Sequence, residues 1–503
     1  MRRLPAGSRR YDFFAASHFP RAGRPCHDLM QILRAPRNPG RPSSRRDFLG
    51  RALAGAAAAL AARPARGFAP SARLRERLRA ELARGPIFNT HEHLVPEAQR
   101  LRDPLDIFTL ISHYAINDVI SAGLDPKAAS TLTRTETPLL ERWKTFEPYW
   151  RRARNTGYCR VVEIVARDLC GVEELSAATC ERVSDRLRQG NTPGLYRRML
   201  EERMKVEWSV LDDYWNVSPV APEYPRFVTA RHFDRYALLR SREDVERIAQ
   251  SVGREIGSFS DLCAAQEADF ENNARGRMAC VKSTLAYNRI LHFRQVSRQD
   301  AEQAFDALPP KAPLSTYPSA RLLDAPSPPL GDHMVHRVLA LARERNLPVQ
   351  FHTGIHAGNG NYLTNSNPTH LINLCLDYPD VRFDLFHSGY PWVTELGAMA
   401  KTLRNVTIDL TWMHIISPAT AQRALLEYLD TVPLAKIFGF GGDYRYVENS
   451  YGHLVIALDN VARTLAARIE SGDYSEQQAL AAGRQILHQN PVAFFSPEKL
   501  ARP

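Results

Sequence analysis

Short apolar runs that end in polar residues recur along the chain after residue 85. Their Val, Ile and Phe content and their length are typical of buried β-strands. Eight such runs can be placed: PIFNTHEH (86–93), MKVEWSVLDD (204–213), RFVTAR (226–231), RMACVKS (277–283), LPVQFHTG (347–354), VRFDLFHSG (381–389), NVTIDLTW (405–412) and IFGFGGD (437–443). The pattern therefore predicts eight strands.

Stretches with helical periodicity separate the later strands. They include HMVHRVLALARER (333–345) and PATAQRALLEYLD (418–430), and SARLRERLRAELARG (71–85) precedes the first strand. Two longer helical blocks, at about 95–203 and 232–276, interrupt the alternation. Strands that alternate with helices favour a parallel sheet, and eight such units favour a closed barrel. The sequence thus predicts an α/β fold for residues 71–503, a distorted TIM-type (β/α)8 barrel with a helical insertion after strand 1.

The basic character of the chain belongs to its first 70 residues. They contain fourteen arginines, no lysine and three aspartates, which accounts for the whole formal charge of +11. Residues 71–503 carry no net charge, so nucleic acid is not expected as a partner. A composition with 44% hydrophobic and 24% charged residues excludes a disordered or fibrous chain. No later run approaches the roughly 20 apolar residues of a membrane span, so no integral membrane segment is expected in the mature chain.

The arginine-rich segment resembles an export signal. Residues 44–50 read SRRDFLG, and an alanine-rich stretch from Ala52 to Ala62 follows. An arginine pair before a mildly apolar core is typical of the twin-arginine route, which exports folded proteins. We therefore expect residues 1–67 to be a leader recognised by the export machinery, with a periplasmic or secreted mature protein. Met30 would leave a conventional basic region before the motif, and it is our hypothesis for the true start.

Chemistry-bearing residues follow the predicted strands. His91 and His93 stand two apart at a strand end, so their side chains point to one face. Four other strand ends carry polar side chains of the same kind: Lys282, His352, His387 and Asp443. Imidazole and carboxylate ligands suit Zn²⁺ or a similar divalent ion, and a bound ion lowers the pKa of water to about 7. The alternatives are a solvated histidine pair and a buried lysine paired with a carboxylate.

This order of residues resembles the amidohydrolase superfamily. Longer stretches are similar to its amidohydrolase-related branch, which includes uronate-isomerase-like proteins and a domain fused to glutamine-synthetase-like chains. The resemblance covers about residues 86–470 and is densest from 277 to 450. The segments that carry it are VKSTLAYNR (281–289), PVQFHTG…SNPTHL (348–371), FHSGYPWVTELGAMAKTLRNVTIDLTW (386–412) and AKIFGFGGDYRYVEN (435–449).

The resemblance implies a role for each matching residue. It implies four metal ligands for one or two ions, most simply Zn²⁺: His91, His93, His352 and Asp443. Asp443 would also remove a proton from the metal-activated water, and His387 would polarise the substrate or steady the water. Lys282 would contact substrate or, if carboxylated, bridge two metals. Gly442 departs from the Ser that relatives often carry, which removes a hydroxyl next to the metal site.

Several residues near the motifs are weaker candidates. Tyr444 and Arg445 follow the eighth strand and could bind substrate, with Arg445 gripping a carboxylate. A salt bridge from Arg445 to Glu448 is the alternative. Four further histidines are expected at the surface or in packing: His356, His370, His414 and His453.

The leading functional hypothesis is a metal-dependent hydrolase of a small substrate, such as an amide, ester or lactone, with an anion favoured by Lys282 and Arg445. The first alternative is a uronate-isomerase-like aldose–ketose conversion, and a metal-dependent decarboxylase is the second. A catalytically silent barrel that acts as a binding protein is the non-enzymatic alternative. An oligomer is compatible with the sequence.

Overall fold

Eight parallel strands form the centre of the protein in a computed structural model. The structure describes residues 71–212, 224–312 and 329–500, so the predicted leader, its arginine pair and Met30 lie outside the described residues. The strands are β1 Ile87–Glu92, β2 Val206–Asp212, β3 Phe227–His232, β4 Met278–Ser283, β5 Val349–Phe351, β6 Phe383–Leu385, β7 Val406–Asp409 and β8 Ile437–Phe438. All eight predicted strands are present.

Each strand pairs in parallel with the next one along the chain, from β1 to β8. The seam between β8 and β1 is joined by backbone hydrogen bonds made just beyond β8. The amide of Thr90 donates to Phe440 O over 3.1 Å, and the amide of Asp443 donates to His91 O over 3.0 Å. This order, together with the helices outside it, confirms the predicted TIM-type (β/α)8 barrel.

The later strands are shorter than the sequence pattern predicts. β5, β6 and β8 end before the polar residues that were expected to close them, so His352, His387 and Asp443 lie in the loops that follow. His387 and Asp443 have backbone φ angles of 60° and 58°. A left-handed backbone cannot continue a strand, and it turns these side chains toward the barrel mouth.

The predicted insertion is helical and lies between β1 and β2. Its helices are Glu97–Arg102, Ile107–Ile111, Ala115–Ser121, Pro126–Ala129, Leu139–Ala153, Gly157–Cys170 and Cys180–Gly190, followed by a π-helical segment, Arg197–Arg203. Their apolar faces form a core of their own, in which Trp143, Phe146 and Trp150 are buried. This core reaches the barrel through Trp412 and Tyr444, so the insertion covers one side of the mouth.

The remaining helices surround the barrel. Ala72–Arg84 precedes β1, and the other helices are Asp234–Ala237, Arg242–Val252, Phe259–Ala274, Arg298–Asp306, Pro329–Glu344, Ile372–Asp377, Val393–Thr402, Met413–Ile416, Pro418–Thr431, Val447–Glu470, Glu476–Arg484, Asn490–Phe495 and Pro497–Leu500. Short 3-10 segments lie at Leu285–Tyr287, Leu363–Ser366, Pro368–Leu371, Phe386–Gly389 and Leu434–Lys436, and a π-helical segment at Gln485–Gln489. Among the described residues, none of the helices combines the length and apolar character needed to cross a bilayer.

The two ends of the barrel interior differ in polarity. At the N-terminal end of the strands, Phe88, Val210 and Phe438 form an apolar cluster that Phe495 closes by stacking on Phe88 at 5.5 Å. Toward the C-terminal end, polar side chains replace the apolar ones: Lys282, Gln350, Asp384 and Asp409 are buried. The chemistry of the protein is therefore concentrated at the end where TIM barrels carry their active sites.

Candidate active site

Two histidines from β1 form the floor of a pocket at the C-terminal end of the barrel. His91 Nε2 and His93 Nε2 lie 3.2 Å apart, as the HxH spacing predicts. His93 Nδ1 donates to the backbone carbonyl of Asp212 over 2.9 Å, which leaves Nε2 to face the pocket. Burial lowers the pKa of His91 well below its usual value, so this imidazole is neutral and its nitrogen is available as a ligand.

Asp443 brings a carboxylate to the histidine pair. Its Oδ1 lies 3.2 Å from His93 Nε2 and 3.6 Å from His91 Nε2. Burial would raise the pKa of Asp443, but the contact with His93 outweighs it and keeps the pKa below its usual value. Burial would likewise lower the pKa of His93, and the contacts with Asp443 and Asp212 raise it instead. The structure thus brings together three of the four predicted ligands.

His352, the fourth predicted ligand, lies in the same pocket but pairs with His387. Nε2 of His352 donates to Ile355 O over 3.0 Å, and Nδ1 of His387 donates to Thr411 O over 2.8 Å. The two remaining ring nitrogens, His352 Nδ1 and His387 Nε2, face each other at 3.1 Å with their lone pairs. A cation or a shared proton between them would stabilise this arrangement.

Lys282 lies in β4 with its side chain buried at the bottom of the pocket. Its Nζ stands over the face of the Phe386 ring, 3.2 Å from the centroid. Burial lowers the pKa of Lys282, and the charges of Asp212 and Asp443 oppose that shift. The ammonium therefore has a cation–π partner and two nearby carboxylates, and it remains within reach of a bound molecule.

Two pocket residues were missed by the sequence analysis. Asp212 ends β2 and His232 ends β3, and His232 Nε2 lies 2.8 and 2.9 Å from the two carboxylate oxygens of Asp212. Burial alone would lower the pKa of His232, but the charge of Asp212 raises it to about 9. Their position was a signal that could have found them, because each is a polar residue at the C-terminal end of a strand, as the predicted residues are.

The pocket above these groups has a volume of about 310 Å³. Its lining includes the metal-ligand candidates and residues of four other segments: His113, Tyr114, Thr284, Tyr287, Ala357 and Arg445. The insertion supplies His113 and Tyr114, and burial lowers the pKa of His113 to about 3. The insertion thus contributes directly to the pocket wall, and the cavity suits a small molecule rather than a polymer.

The structure separates the two predicted substrate-binding residues. Arg445 lines the pocket, and its Nε has no hydrogen-bond partner among the described residues. Glu448, its alternative partner, pairs with Arg100 at 2.6 Å. Tyr444 is fully buried away from the pocket, with its ring packed against Tyr114 at 5.0 Å. Arg445 is therefore placed to meet a substrate, whereas Tyr444 supports the wall behind it.

The remaining histidines fall where packing predicts. His414 and His453 are fully buried, and they bind the backbone carbonyls of Gly439 and Gly442. His370, half-buried in the 3-10 segment Pro368–Leu371, binds Thr364 O. His356 is buried and stacks on His352 with 5.5 Å between ring centroids, so it supports the pocket wall. Cys170, Cys263 and Cys375 are buried free thiols.

The donor atoms on the pocket floor fit a divalent ion. A tetrahedral ion with bonds near 2.1 Å separates its ligands by about 3.4 Å, and the three measured separations among His91, His93 and Asp443 are 3.2, 3.2 and 3.6 Å. Two imidazole nitrogens and one carboxylate are also ligands that such ions prefer. His91, His93 and Asp212 form a second triplet whose donor atoms all lie within 4.8 Å of one another.

Part of the chain is similar in sequence to an amidohydrolase family and to one curated protein. Residues 266–496 match the amidohydrolase family model Amidohydro_2. Protein fluG of Emericella nidulans is 29% identical over 215 residues, which cover 42% of this chain and 24% of that protein. The chain thus spans about a quarter of the length of this curated relative.

Solved structures share the fold at low sequence identity. A uronate isomerase from Thermotoga maritima has a TM-score of 0.69 at 15% identity, over 85% of this chain and 98% of that one. A glucuronate isomerase from Caulobacter crescentus has a TM-score of 0.67 at 17% identity, over 88% and 99%. A putative metal-dependent hydrolase from Lactobacillus casei has a TM-score of 0.59 at 17% identity, over 85% and 99%. Residues 266–496 are therefore similar to an amidohydrolase family, and the solved structures show that the chain shares their barrel fold.

Proposed function

We propose that this protein is a metal-dependent hydrolase that acts on a small, carboxylate-bearing substrate in the pocket at the barrel mouth. The observation that carries the proposal is the convergence of His91 Nε2, His93 Nε2 and Asp443 Oδ1, each within 3.6 Å of the other two. These residues would hold a divalent ion, with Zn²⁺ as the first candidate. Such an ion supplies a Lewis acid that lowers the pKa of water and polarises a carbonyl group.

Asp443 is suited to move the proton. It is a buried carboxylate that faces the pocket, and its pKa is held below its usual value, so it is ionised at neutral pH. Asp443 would accept a proton from the attacking water and then deliver it to the leaving group. The family resemblance implies the same role for Asp443, the removal of a proton from the water.

His387 is suited to orient the water. Burial lowers the pKa of His387 to about 4, so the ring is neutral. Its one N–H is committed to Thr411 O, and Nε2 therefore presents a lone pair, 3.9 Å from Asp443 Oδ2. An acceptor can hold a hydrogen of the water but cannot donate to a carbonyl oxygen. Of the two roles expected for His387, the geometry favours steadying the water.

The charges of the pocket favour an anionic substrate. Lys282 and Arg445 line the cavity, and a divalent ion would add two positive charges against the carboxylates of Asp212 and Asp443. The guanidinium of Arg445 can bind a carboxylate through two parallel hydrogen bonds. We therefore expect an N-acyl amino acid, a lactone that carries a second carboxyl group, or a comparable small acid as the substrate class.

A uronate-isomerase-like aldose–ketose conversion is the second candidate. The fold similarity to uronate and glucuronate isomerases, with TM-scores of 0.69 and 0.67, is the observation that favours it. The pocket also has carboxylates on two sides, Asp212 and Asp443, which could exchange protons with neighbouring carbons of a sugar.

The two candidates differ in their products. Metal-loaded protein would be incubated with N-acyl amino acids, lactones and uronates, and the products followed by proton NMR and mass spectrometry. We expect a gain of one water and, for acyl substrates, two fragments. A ketose of unchanged mass would overturn the hydrolase in favour of the isomerase, and release of CO₂ would favour a decarboxylase. If His91→Ala leaves every activity unchanged and the protein holds far less than one ion per chain, the enzyme proposal fails.

We also propose that the protein is exported through the twin-arginine route. The support is the SRRDFLG motif followed by an alanine-rich stretch. Replacing Arg45 and Arg46 together by Lys should retain the precursor in the cytoplasm, and N-terminal sequencing of the native mature protein should begin after the alanine-rich stretch. Mature protein that still begins at Met1 would contradict this proposal.

A further inference from the structure

Asp212 stands beside the histidine pair at the end of β2. It is fully buried, and its Oδ2 lies 3.7 Å from His91 Nε2. This separation is close to the 3.6 Å between Asp443 Oδ1 and the same nitrogen, and to the roughly 3.4 Å expected for two ligands of one tetrahedral ion. Asp212 is therefore about as close to His91 as Asp443 is, and the donor atoms of His91, His93 and Asp212 all lie within 4.8 Å of one another.

We propose that Asp212 is a metal ligand of this site, together with His91, His93 and Asp443, and that His232 is the positioning residue that holds its carboxylate. The inference rests on the metal dependence of the proposed function and adds a donor from β2 to it. It gives Asp212 the place that the family resemblance implies for His352.

The backbone of Asp212 supports this assignment. Its carbonyl oxygen accepts a hydrogen bond from His93 Nδ1 at 2.9 Å, which fixes the tautomer of His93 with Nε2 toward the pocket. Asp212 thus orients His93 through its backbone carbonyl and presents its carboxylate to His91. A residue that served only as the counter-ion of His232 would not need this second contact.

His232 holds the carboxylate from the far side. Its Nε2 contacts both oxygens of Asp212, at 2.8 and 2.9 Å, and its Nδ1 lies 4.0 Å from Asp234 Oδ2. Asp234 is itself fixed, because the amide of Thr284 donates to it over 2.6 Å. Partners of this kind orient metal-binding carboxylates and change metal affinity when they are removed.

Both ring nitrogens of His352 already have close neighbours. One nitrogen is committed to Ile355 O, and the other faces His387 Nε2 at 3.1 Å. Charge also favours two carboxylates, because Asp212 and Asp443 together would neutralise a divalent ion in a buried site.

Cobalt binding tests the assignment without an activity measurement. Apoprotein is titrated with Co²⁺, the visible d–d absorption is recorded, and the dissociation constant is measured by competition with a chromophoric chelator. We expect Asp212→Asn to weaken binding roughly tenfold or more and to change the d–d band, whereas His352→Gln changes the affinity by less than about threefold. His232→Gln should weaken binding by roughly 10- to 100-fold and leave the band shape unchanged, since it keeps the ligand set.

Cysteine variants give a positive signal even if Asp212→Asn folds poorly. A thiolate bound to Co²⁺ produces an intense charge-transfer band in the near ultraviolet. Asp212→Cys should acquire this band, and His352→Cys, the matched control, should lack it. The absence of the band in Asp212→Cys, with an affinity for Co²⁺ like that of the unaltered protein, would overturn the assignment.

The outcome is independent of which reaction the protein catalyses. Co²⁺ bound with the Asp212-dependent signals, but no hydrolysis of any substrate, would leave the ligand assignment intact and overturn the hydrolase. Hydrolysis by a protein whose Asp212 variants bind Co²⁺ normally would overturn the assignment alone.

Discussion

The carboxylate of Glu92 occupies the space that a side chain at Gly442 would need. A Cβ placed on Gly442 would lie 1.9 Å from Glu92 Oε1 and 2.6 Å from its Cδ. Glu92 in turn accepts a hydrogen bond from the amide of Tyr444 at 2.9 Å, so it holds the turn that carries Asp443. In the sequence analysis, Gly442 stands where relatives often carry Ser, so a hydroxyl is absent there. In the structure, the buried carboxyl group of Glu92 fills the space that such a side chain would take.

Gly442→Ser should consequently disturb the site instead of improving it. Filling an occupied position costs about 1–3 kcal/mol of folding free energy. We expect a lower thermal midpoint and weaker metal binding, measured by calorimetry and metal titration. In the double variant Gly442→Ser/Glu92→Ala, the loss of stability and of metal affinity should be smaller than the sum of the losses in the two single variants, because the clash is removed. Gly257→Ser, whose nearest neighbour would be 3.7 Å away, is the control. Additive losses would contradict this explanation.

Removing the metal should destabilise the protein. A ligand at 100 times its dissociation constant contributes about 2.7 kcal/mol to the free energy of unfolding. The thermal midpoint should therefore fall in excess chelator and recover when Zn²⁺ is restored. His91→Ala should abolish this difference, whereas His370→Ala, which lies outside the pocket lining, should keep it. A midpoint that is the same with and without chelator in the unaltered protein would count against the site.

Arg445 and Tyr444 should differ sharply in their effect on substrate binding. Arg445→Gln removes a charge that lines the pocket, so KM for a carboxylate substrate should rise by roughly 10- to 100-fold, the loss expected for a charged hydrogen bond. Tyr444→Phe removes a hydroxyl that is buried without a partner among the described residues, and KM should change less than about twofold. Steady-state kinetics with the carboxylate substrate and its amide analogue measure both. An equal effect of Arg445→Gln on the two substrates would show that the arginine does not bind the carboxylate.

Acid should destabilise the fold through His414. Its Nε2 donates to Gly439 O over 2.9 Å, and burial lowers its pKa to about 4. Because the pKa is depressed in the folded state, the stabilisation is complete above the unfolded value near 6.5 and is lost as pH falls toward 4. One such group contributes a slope of up to about 1.4 kcal/mol per pH unit.

Urea unfolding between pH 7 and 4.5 measures that slope. His414→Gln keeps a donor near Gly439 O but cannot take up a proton, so the pH dependence should become shallower by about one proton. His292→Gln, at an exposed position, is the matched control. If both variants keep the slope of the unaltered protein, His414 is not the source of the acid sensitivity.

The sequence was sufficient for the barrel because the apolar period and the helix–strand alternation are local properties of the chain. It also located His91, His93, Lys282 and Asp443, since a polar residue after a buried strand stands out in a linear pattern. Asp212 and His232 also end strands, and the same signal could have found them. Their direct pairing became visible only in the structure, where the parallel strand ends meet at one end of the barrel.

The finer geometry depends on contacts between distant segments. Tyr444 and Arg445 are adjacent in sequence, yet one packs behind the insertion and the other lines the pocket, because a turn with positive φ at Asp443 sends them in different directions. His352 was expected beside His91 and is instead paired with His387.

The sequence by itself determined the barrel and the helical insertion, because both follow from apolar and polar patterns along the chain. Only the tertiary structure decided which donors meet. The strands are short, and the residues that follow them take their positions from left-handed turns and from hydrogen bonds to segments up to about 350 residues away, such as that between Gly442 and Asn89. Those interactions have no signature in local sequence, since each depends on the closed barrel bringing β8 back to β1.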